Sequence, residues 1–239
     1  MSDITGSLGE KTEVAGTTEH RSELEIYGDR FRANRKDADA ALKYGKALRA
    51  AGQRAQAVAV LEEATVASPG NKALLAGYGR ALADNGDFQQ AFDVLGNAHT
   101  PDDPDWRILS AQGTVLDQLG RYDEARQYYG SALKIAPDEP SVLSNLGLSY
   151  LLSKNLPKAE ETLRRADGRP GADPRVRQNL ALVVGLQGRL AEAESIVRAG
   201  RSPEASAANV TYLRRLLSRN DNAHVDAGGV AAASAKLHD

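Results

Sequence analysis

Histidine is the first side chain to consider as a catalytic acid, base or metal ligand, because its charge changes near neutral pH. The chain contains four histidines, and no two of them stand three or four residues apart, as ligands on one helix face would. They are His20, His99, His224 and His238. The motifs of phosphate loops, dinucleotide-binding folds and serine hydrolases are also missing from the sequence. We therefore expect a protein that is not an enzyme, with no catalytic residue, no cofactor and no small-molecule substrate.

Three aspartates within four residues resemble a metal site on paper. Asp102, Asp103 and Asp105 stand beside two prolines, and aspartate in such a setting is typical of turns and helix N-caps. We expect them to form a turn and to cap a helix that begins near Trp106, and we expect no metal site. The sequence has no cysteine, which excludes thiolate ligands, disulfides and thiol catalysis.

The composition is that of a globular helical protein. The chain has 239 residues, of which 41% are hydrophobic and 26% charged, and its net charge is −2. Such a charge gives no global field that would favour nucleic acid. Frequent Ala, Leu, Arg, Glu and Gln favour an all-α fold. No apolar run reaches the roughly 18 residues of a membrane span, and the first residues lack the apolar core of a signal peptide.

Small and large residues recur along the chain with a period of 34 residues. The small residues form two columns: Gly45, Gly79, Gly113, Gly147 and Ala181, and Ala57, Ala91, Ala125, Ala159 and Ala193. Large residues form two more: Leu48, Leu82, Leu116, Tyr150 and Val184, and Leu61, Leu95, Tyr129, Leu163 and Val197. A fifth column is Gly52, Gly86, Gly120, Lys154 and Gly188. Repetition in five columns indicates that the chain is built from repeated structural units.

Each unit is predicted to be a hairpin of two helices, A and B. The fifth column would supply the turn, where glycine accepts a positive φ. We interpret the small residues as the points where helices A and B of one hairpin pack most closely. The predicted repeats are 38–71, 72–105, 106–139, 140–173 and 174–207.

The flanks of the repeats also contain amphipathic segments. Residues 22–37 place Leu24, Tyr27 and Phe31 on one side of a helix that would stack on the first repeat. A second helix, which begins inside the fifth repeat, would cover the apolar face of that repeat, as the ends of solenoids require. The predicted organisation is a flexible segment 1–21, a repeat domain 22–219 that ends in a capping helix 204–219, and a flexible tail 220–239.

The period and its columns resemble the tetratricopeptide repeat. The resemblance implies an all-α solenoid, a right-handed superhelix of helix hairpins with flanking capping helices. It also implies that helix A residues line a concave groove that binds other proteins. One departure is at the fourth position of each repeat, where an aromatic residue is usual. This sequence has Ala41, Leu75, Leu109, Leu143 and Arg177 there.

The resemblance also places candidate partner-binding residues on the groove lining. Asn145 and Asn179 share the sixth position of their repeats, where asparagine in peptide-binding members holds the backbone of an extended ligand through its donor and acceptor. A basic set on the same lining would favour an acidic stretch of the partner. Asp39, Asp84 and Asp117 share that lining, so the excess of positive charge is modest. The basic set is Lys43, Lys46, Arg49, Arg80 and Arg107. The alternative is that the basic residues form a solvated face and the asparagines are polar filler.

Whole segments of the chain, from about residue 22 to 217, resemble the TadD family of the bacterial Tad (Flp) pilus assembly system. They are "RANRKDADAALKYGKALRAAGQRAQAVAVLEEA", "PDEPSVLSNLGLSYLLSKNLPKAEETLRRA", "RVRQNLALVVGLQGRLAEAE" and "AANVTYLRRLL". The resemblance implies a pilotin-like scaffold in the periplasm that holds a segment of the pilus secretin or an associated component. Such a protein reaches the outer membrane through a lipid anchor on a cysteine that this chain lacks. The alternative is a soluble cytoplasmic tetratricopeptide adaptor or regulator unrelated to pili.

Overall fold

The computed structural model describes residues 23–199, which form helices joined by turns. Apart from an isolated bridge between Thr100 and Asp103, the described chain contains no strand, which confirms the all-α class. It divides between Ile135 and Ala136 into two compact units, here called unit 1 and unit 2. Three predicted segments lie outside the described residues: 1–21, 204–219 and 220–239.

Unit 1 contains helices α1 to α7, and unit 2 contains α8 to α11. The helices of unit 1 are 23–33, Ala38–Ala50, Arg54–Ala67, Lys72–Asn85, Phe88–Gly96, Trp106–Gln118 and Tyr122–Ile135. Those of unit 2 are Pro140–Leu152, Leu156–Asp167, Pro174–Leu186 and Leu190–Arg198. From α2 onward they pair as five antiparallel hairpins, α2 with α3 through α10 with α11, so that each predicted repeat contains one helix A and one helix B.

A side-chain N-cap begins helix A of every hairpin. In each case a carboxylate or amide oxygen accepts a hydrogen bond from a backbone N–H of the first turn, which otherwise has no partner within the helix. The caps recur with the 34-residue period: Asp37, Asn71, Asp105, Glu139 and Asp173. The predicted capping role of Asp105 at Trp106 is thereby confirmed.

In four hairpins a glycine of helix A faces a large side chain of helix B. A Cβ atom added to Gly45 would lie 2.6 Å from Leu61 Cδ1, closer than real Cβ contacts allow. The sequence interpretation had matched each glycine with the helix-B alanine column. That column is fully buried, but the nearest neighbour of the glycine is the large residue. The other three pairs, at 2.6–2.7 Å, are Gly79 with Leu95, Gly113 with Tyr129, and Gly147 with Leu163.

The fifth hairpin keeps the same arrangement with a different division of volume. Ala181 replaces the glycine, and the large residue at the matching position becomes the smaller Val197. Both are buried, at 0% and 4% exposure. A larger residue on one helix is thus accompanied by a smaller one on the other, which conserves volume in the interior.

The turn between helices A and B adopts a positive φ in every hairpin. Glycine occupies it in four hairpins, with φ of 73°, 96°, 74° and 83°, as predicted. In the fourth hairpin the residue is Lys154, with φ 60°. A residue with a Cβ atom is strained in this region by roughly 1–2 kcal/mol, so this turn is less favourable than the others.

Helix α1 packs on the first hairpin, as its amphipathic pattern predicts. Phe31 is only 3% exposed, and its ring centroid lies 6.2 Å from that of Tyr44 on α2. Leu24 and Tyr27 are partly buried against the same core. The helix covers 23–33, shorter than the amphipathic segment 22–37.

Gly79→Ala tests the glycine contact. The new methyl group would meet Leu95, including its backbone nitrogen at 3.3 Å, and should lower the free energy of unfolding by about 1–3 kcal/mol. The control is Gly77→Ala on the same helix, whose methyl group would meet the flexible end of Leu42 and gain helix propensity. Urea unfolding followed by circular dichroism measures both. Equal stabilities of the two variants would contradict the assigned contact.

Lys154→Gly tests the strain in the fourth turn. Because glycine has no Cβ atom, this change should raise the free energy of unfolding by about 1 kcal/mol. Gly120→Ala, at the same position of the third hairpin, should lower it by about as much. Thermal melts that shift in the same direction for both variants would be inconsistent with a positive φ at these positions.

Candidate functional site

A groove of about 490 Å³ lies in unit 2, here called the asparagine groove. The A helices of the last two hairpins, α8 and α10, provide most of its wall. Its lining residues are Glu139, Ser141, Ser144, Asn145, Leu148, Gly171, Asp173, Arg175, Val176, Gln178, Asn179, Leu182 and Val197.

The structure brings the two predicted asparagines to this one groove. Asn145 on α8 and Asn179 on α10 are both half-buried. Within residues 23–199, the Asn179 side chain makes no hydrogen bond. An amide that offers both a donor and an acceptor in a groove can pair with a peptide backbone, which presents the complementary groups.

Two of the three charged residues that line the asparagine groove are paired with each other. Arg175 donates from Nη2 to Asp173 Oδ2 at 2.8 Å, and Asp173 also accepts the backbone N–H of Arg175 at 2.8 Å. The Arg175 side chain, followed by this backbone hydrogen bond, lowers the pKa of Asp173 to about 2. Glu139, the third charged residue of the lining, accepts hydrogen bonds from Ser141 N and Oγ. The groove therefore presents polar amides, hydroxyls, apolar side chains and one carboxylate that has no ion pair within residues 23–199.

Glu160 on α9 fastens the last hairpin, which carries Asn179, to the hairpin before it. Its carboxylate accepts hydrogen bonds from Arg189 Nη1 at 2.7 Å and Gln187 Nε2 at 2.8 Å. Arg164 of its own helix donates as well, at 2.9 Å. Burial alone would raise the pKa of Glu160, but these three donors outweigh it and lower that pKa to about 2.

Arg177 stands at the fourth position of the fifth repeat, where an aromatic residue is usual, and its contacts account for the difference. Its guanidinium lies 3.2 Å from Asp167 Oδ1 and donates to the backbone oxygen of Ala199 at 2.8 Å. Arg177 thus ties helix α10 to the end of α9 and to the residue after α11.

Three of the five predicted basic residues line a second depression, in unit 1, here called the basic cleft. It has a volume of about 220 Å³, and α2 and α4 supply all but one of its residues. The lining is Leu42, Lys46, Arg49, Leu61, Ala73, Gly77 and Arg80.

The other two basic residues interact with their own helices or with α1. Lys43 pairs with Asp39 at 2.9 Å and lies 5.9 Å from the Tyr27 ring centroid. Arg107 lies 4.4 Å from the ring centroid of Trp106. Neither lines the basic cleft.

The three aspartates predicted to share the lining have different environments. Asp39 pairs with Lys43, and Asp84 pairs with Arg49 at 2.5 Å. Asp117 instead belongs to the interior of the third hairpin. It is 7% exposed and accepts a hydrogen bond from the Tyr129 hydroxyl at 2.8 Å. Burial, followed by the Asp117 charge, raises the pKa of that hydroxyl.

Some lining residues escaped the sequence reasoning. Leu182 stands one repeat after Leu148, so the period could have found it. Gly77 occupies the sixth position, as Asn145 does, but glycine offers no side chain to attract notice. Val197 belongs to helix B, and the helix-A register could not have pointed to it.

Between residues 23 and 199, no group of three or more His, Cys, Asp or Glu side chains is placed to hold a metal ion. His99, the one histidine in this range, has Nε2 3.2 Å from Gln112 Oε1. None of the helices between residues 23 and 199 has the length and apolar character needed to cross a membrane.

The hairpins, their period and their grooves define a helical repeat protein. Two sequence models, each described as a tetratricopeptide repeat, match residues 48–113 and 110–174. Together they cover just over half of the chain, which therefore belongs to the tetratricopeptide repeat proteins. Members of this family are in general non-enzymatic scaffolds for protein–protein interaction. None of the curated protein sequences compared with the chain matches it.

Solved structures share this fold at low sequence identity. The chain superposes on the anaphase-promoting complex hetero-tetramer Cut9–Hcn1 with a TM-score of 0.67 and 17% identity, covering 86% of this chain but only 41% of that one. The superposition on Pseudomonas aeruginosa pilF has a TM-score of 0.58 and 15% identity, and it covers 85% of this chain and 94% of that one. YrrB is described as a tetratricopeptide protein with an unusual peptide-binding site. Its superposition has a TM-score of 0.51 and 14% identity, and it covers 83% of this chain and 98% of that one. At these identities the likeness is one of fold.

Glu160→Gln tests the fastening of the last hairpin. The ordinary pKa of 4.5 falls to about 2 in the folded chain, so the carboxylate stabilises the fold above pH 4.5, and this stabilisation is lost as the pH falls toward 2. Near neutral pH the variant should lower the free energy of unfolding by about 1–3 kcal/mol, and the difference should shrink between pH 4.5 and 2.

The control for this measurement is Glu161→Gln, an exposed neighbour on the same helix. It should change the free energy of unfolding by less than about 0.5 kcal/mol. Denaturant titrations across the pH range compare the two. A Glu160→Gln deficit that does not depend on pH would show that the charge of Glu160 does not fasten the hairpin.

Proposed function

We propose that the asparagine groove holds an extended segment of a partner protein, with Asn145 and Asn179 pairing with its backbone. The observation that carries this proposal is the placement of both amides, one repeat apart, on the lining of one groove. The Asn179 amide has no hydrogen-bond partner within residues 23–199. A bound peptide would supply the missing donor and acceptor.

The remaining lining suits side chains of a peptide rather than a small charged ligand. Leu148, Val176 and Leu182 offer apolar surface between the polar groups. The Asp173–Arg175 pair is neutral, and the charge that remains on the lining is the carboxylate of Glu139. Recognition would therefore come from backbone hydrogen bonds and apolar contact, as in other modes of binding extended peptides. A peptide-binding site named for YrrB, which shares the fold, is consistent with this use.

The partner proposed here is a component of the Tad (Flp) pilus assembly system, either the secretin or a protein associated with it. The support is the resemblance of whole segments to TadD from about residue 22 to 217. The chain would then act as a pilotin-like scaffold, in the periplasm and at the outer membrane through a lipid anchor outside this sequence. The scaffold role itself does not depend on this partner, because it rests on the repeat family and the groove.

Asn145→Ala combined with Asn179→Ala tests the groove. Each amide hydrogen bond contributes about 0.5–1.5 kcal/mol net, so the double variant should weaken binding of the pilus component by roughly 5- to 150-fold. The measurement is a pull-down of Tad components, followed by a titration of the one retained. The control is Asn97→Ala, whose exposed amide donates to Asp93 O in unit 1.

Two results would count against the proposal, and they differ in what they remove. If a pilus component binds the folded double variant as tightly as the parent chain, the asparagine groove is not its site. If the parent chain retains no pilus component, the Tad assignment fails, and the groove remains as the site of an unrelated partner.

A further inference from the structure

Almost every arginine in the described chain lies within ion-pair distance of a carboxylate. Between residues 23 and 199, two arginines do not: Arg54 and Arg80. Arg54 is exposed, so water solvates its charge. Arg80 is half-buried on the lining of the basic cleft, and it loses hydration without gaining a carboxylate in return.

The surroundings of Arg80 are cationic. Burial first, and then the charge of Arg49, lower the pKa of the Arg80 guanidinium, and Arg107 acts in the same direction. Asp105 opposes them, but its carboxylate is occupied in capping α6. Lys46, on the same cleft, is exposed and forms no ion pair within the described residues. Two cations of the cleft therefore lack an anionic partner.

The floor of the basic cleft is apolar and open. Gly77 occupies the sixth position of its repeat, which is Asn145 or Asn179 in the repeats of unit 2. A Cβ atom added at Gly77 would lie 2.8 Å from Leu42 Cδ2, so the absence of a side chain leaves the half-buried Leu42 accessible from the cleft, with the buried Leu61 beneath it. A bare inorganic anion would make no use of such a floor.

We propose that the basic cleft is a second binding site, which takes an acidic segment of a partner protein. One carboxylate of the segment pairs with Arg80 and Lys46, and a small apolar side chain beside it lies against Leu42 over Gly77. Charge complementarity selects the partner, because the cleft holds a guanidinium that no carboxylate of the described chain neutralises. The site is independent of the asparagine groove and of the Tad assignment.

The test uses the full chain and a short fluorescent peptide in which glutamate alternates with alanine, with anisotropy as the readout. Arg80→Gln should weaken binding at least about tenfold, since a hydrogen-bonded ion pair is lost. Arg54→Gln, which removes the other unpaired arginine, should leave the affinity within about twofold. The Asn145→Ala/Asn179→Ala chain should bind this peptide as the parent does. A peptide with glutamine in place of glutamate should not bind.

The same set of variants also checks that the chain remains folded and that the ligand is a peptide rather than a bare anion. The melting temperature of Arg80→Gln should equal or exceed that of the parent, because the change relieves repulsion with Arg49 and Arg107. Gly77→Ala should weaken binding without unfolding, because its methyl group fills the floor. The proposal is overturned if the parent chain does not bind the peptide, or if Arg54→Gln and Arg80→Gln behave alike. Displacement of the peptide by equimolar inorganic phosphate would also overturn it, by showing a bare anion site.

Discussion

The contact between a helix-A glycine and a large helix-B side chain is the constraint on which each hairpin depends. At Gly147 a single methyl group would stand 2.6 Å from Leu163, so the two helices are as close as a glycine allows. This contact fixes which face of helix A packs against helix B, and therefore which positions of helix A are left to line a groove. Asn145 and Leu148, on either side of Gly147 in the sequence, line the asparagine groove. The packing of the hairpin and the lining of the groove are therefore specified by neighbouring residues of one helix.

The two units use this scaffold for surfaces of different chemistry. In unit 2 Asp173 and Arg175 neutralise each other at the groove. What remains available is amide, hydroxyl and apolar surface with the single carboxylate of Glu139. In unit 1 the basic cleft keeps Arg80 without a carboxylate from the described chain and has glycine at the corresponding position. A repeat protein can vary these few lining residues while its hairpin contacts stay constant.

Periodicity predicted the hairpins because packing repeats. The glycine and alanine columns mark buried contacts, and the turn column marks a positive φ. Both restrict the residue type at a single position, so they are visible in the sequence. The same register predicted that Asn145 and Asn179 share one groove. It could not divide the basic set, because the pairing of Lys43 with Asp39, and the burial of Asp117 against Tyr129, depend on side-chain conformations that position alone does not determine. Nor could it show that Arg177 replaces an aromatic residue in order to bind Asp167 and Ala199.

The central claim is that the asparagine groove is where a partner segment binds. The most direct measurement is site-specific photo-cross-linking in cells that assemble the pilus, with the photoreactive residue placed at Leu148 in the groove or at Val66, which is exposed on α3. The account predicts a cross-link from position 148 to one segment of a pilus component, identified by mass spectrometry, and none from position 66. Cross-links to that component from position 66 and none from position 148 would contradict it.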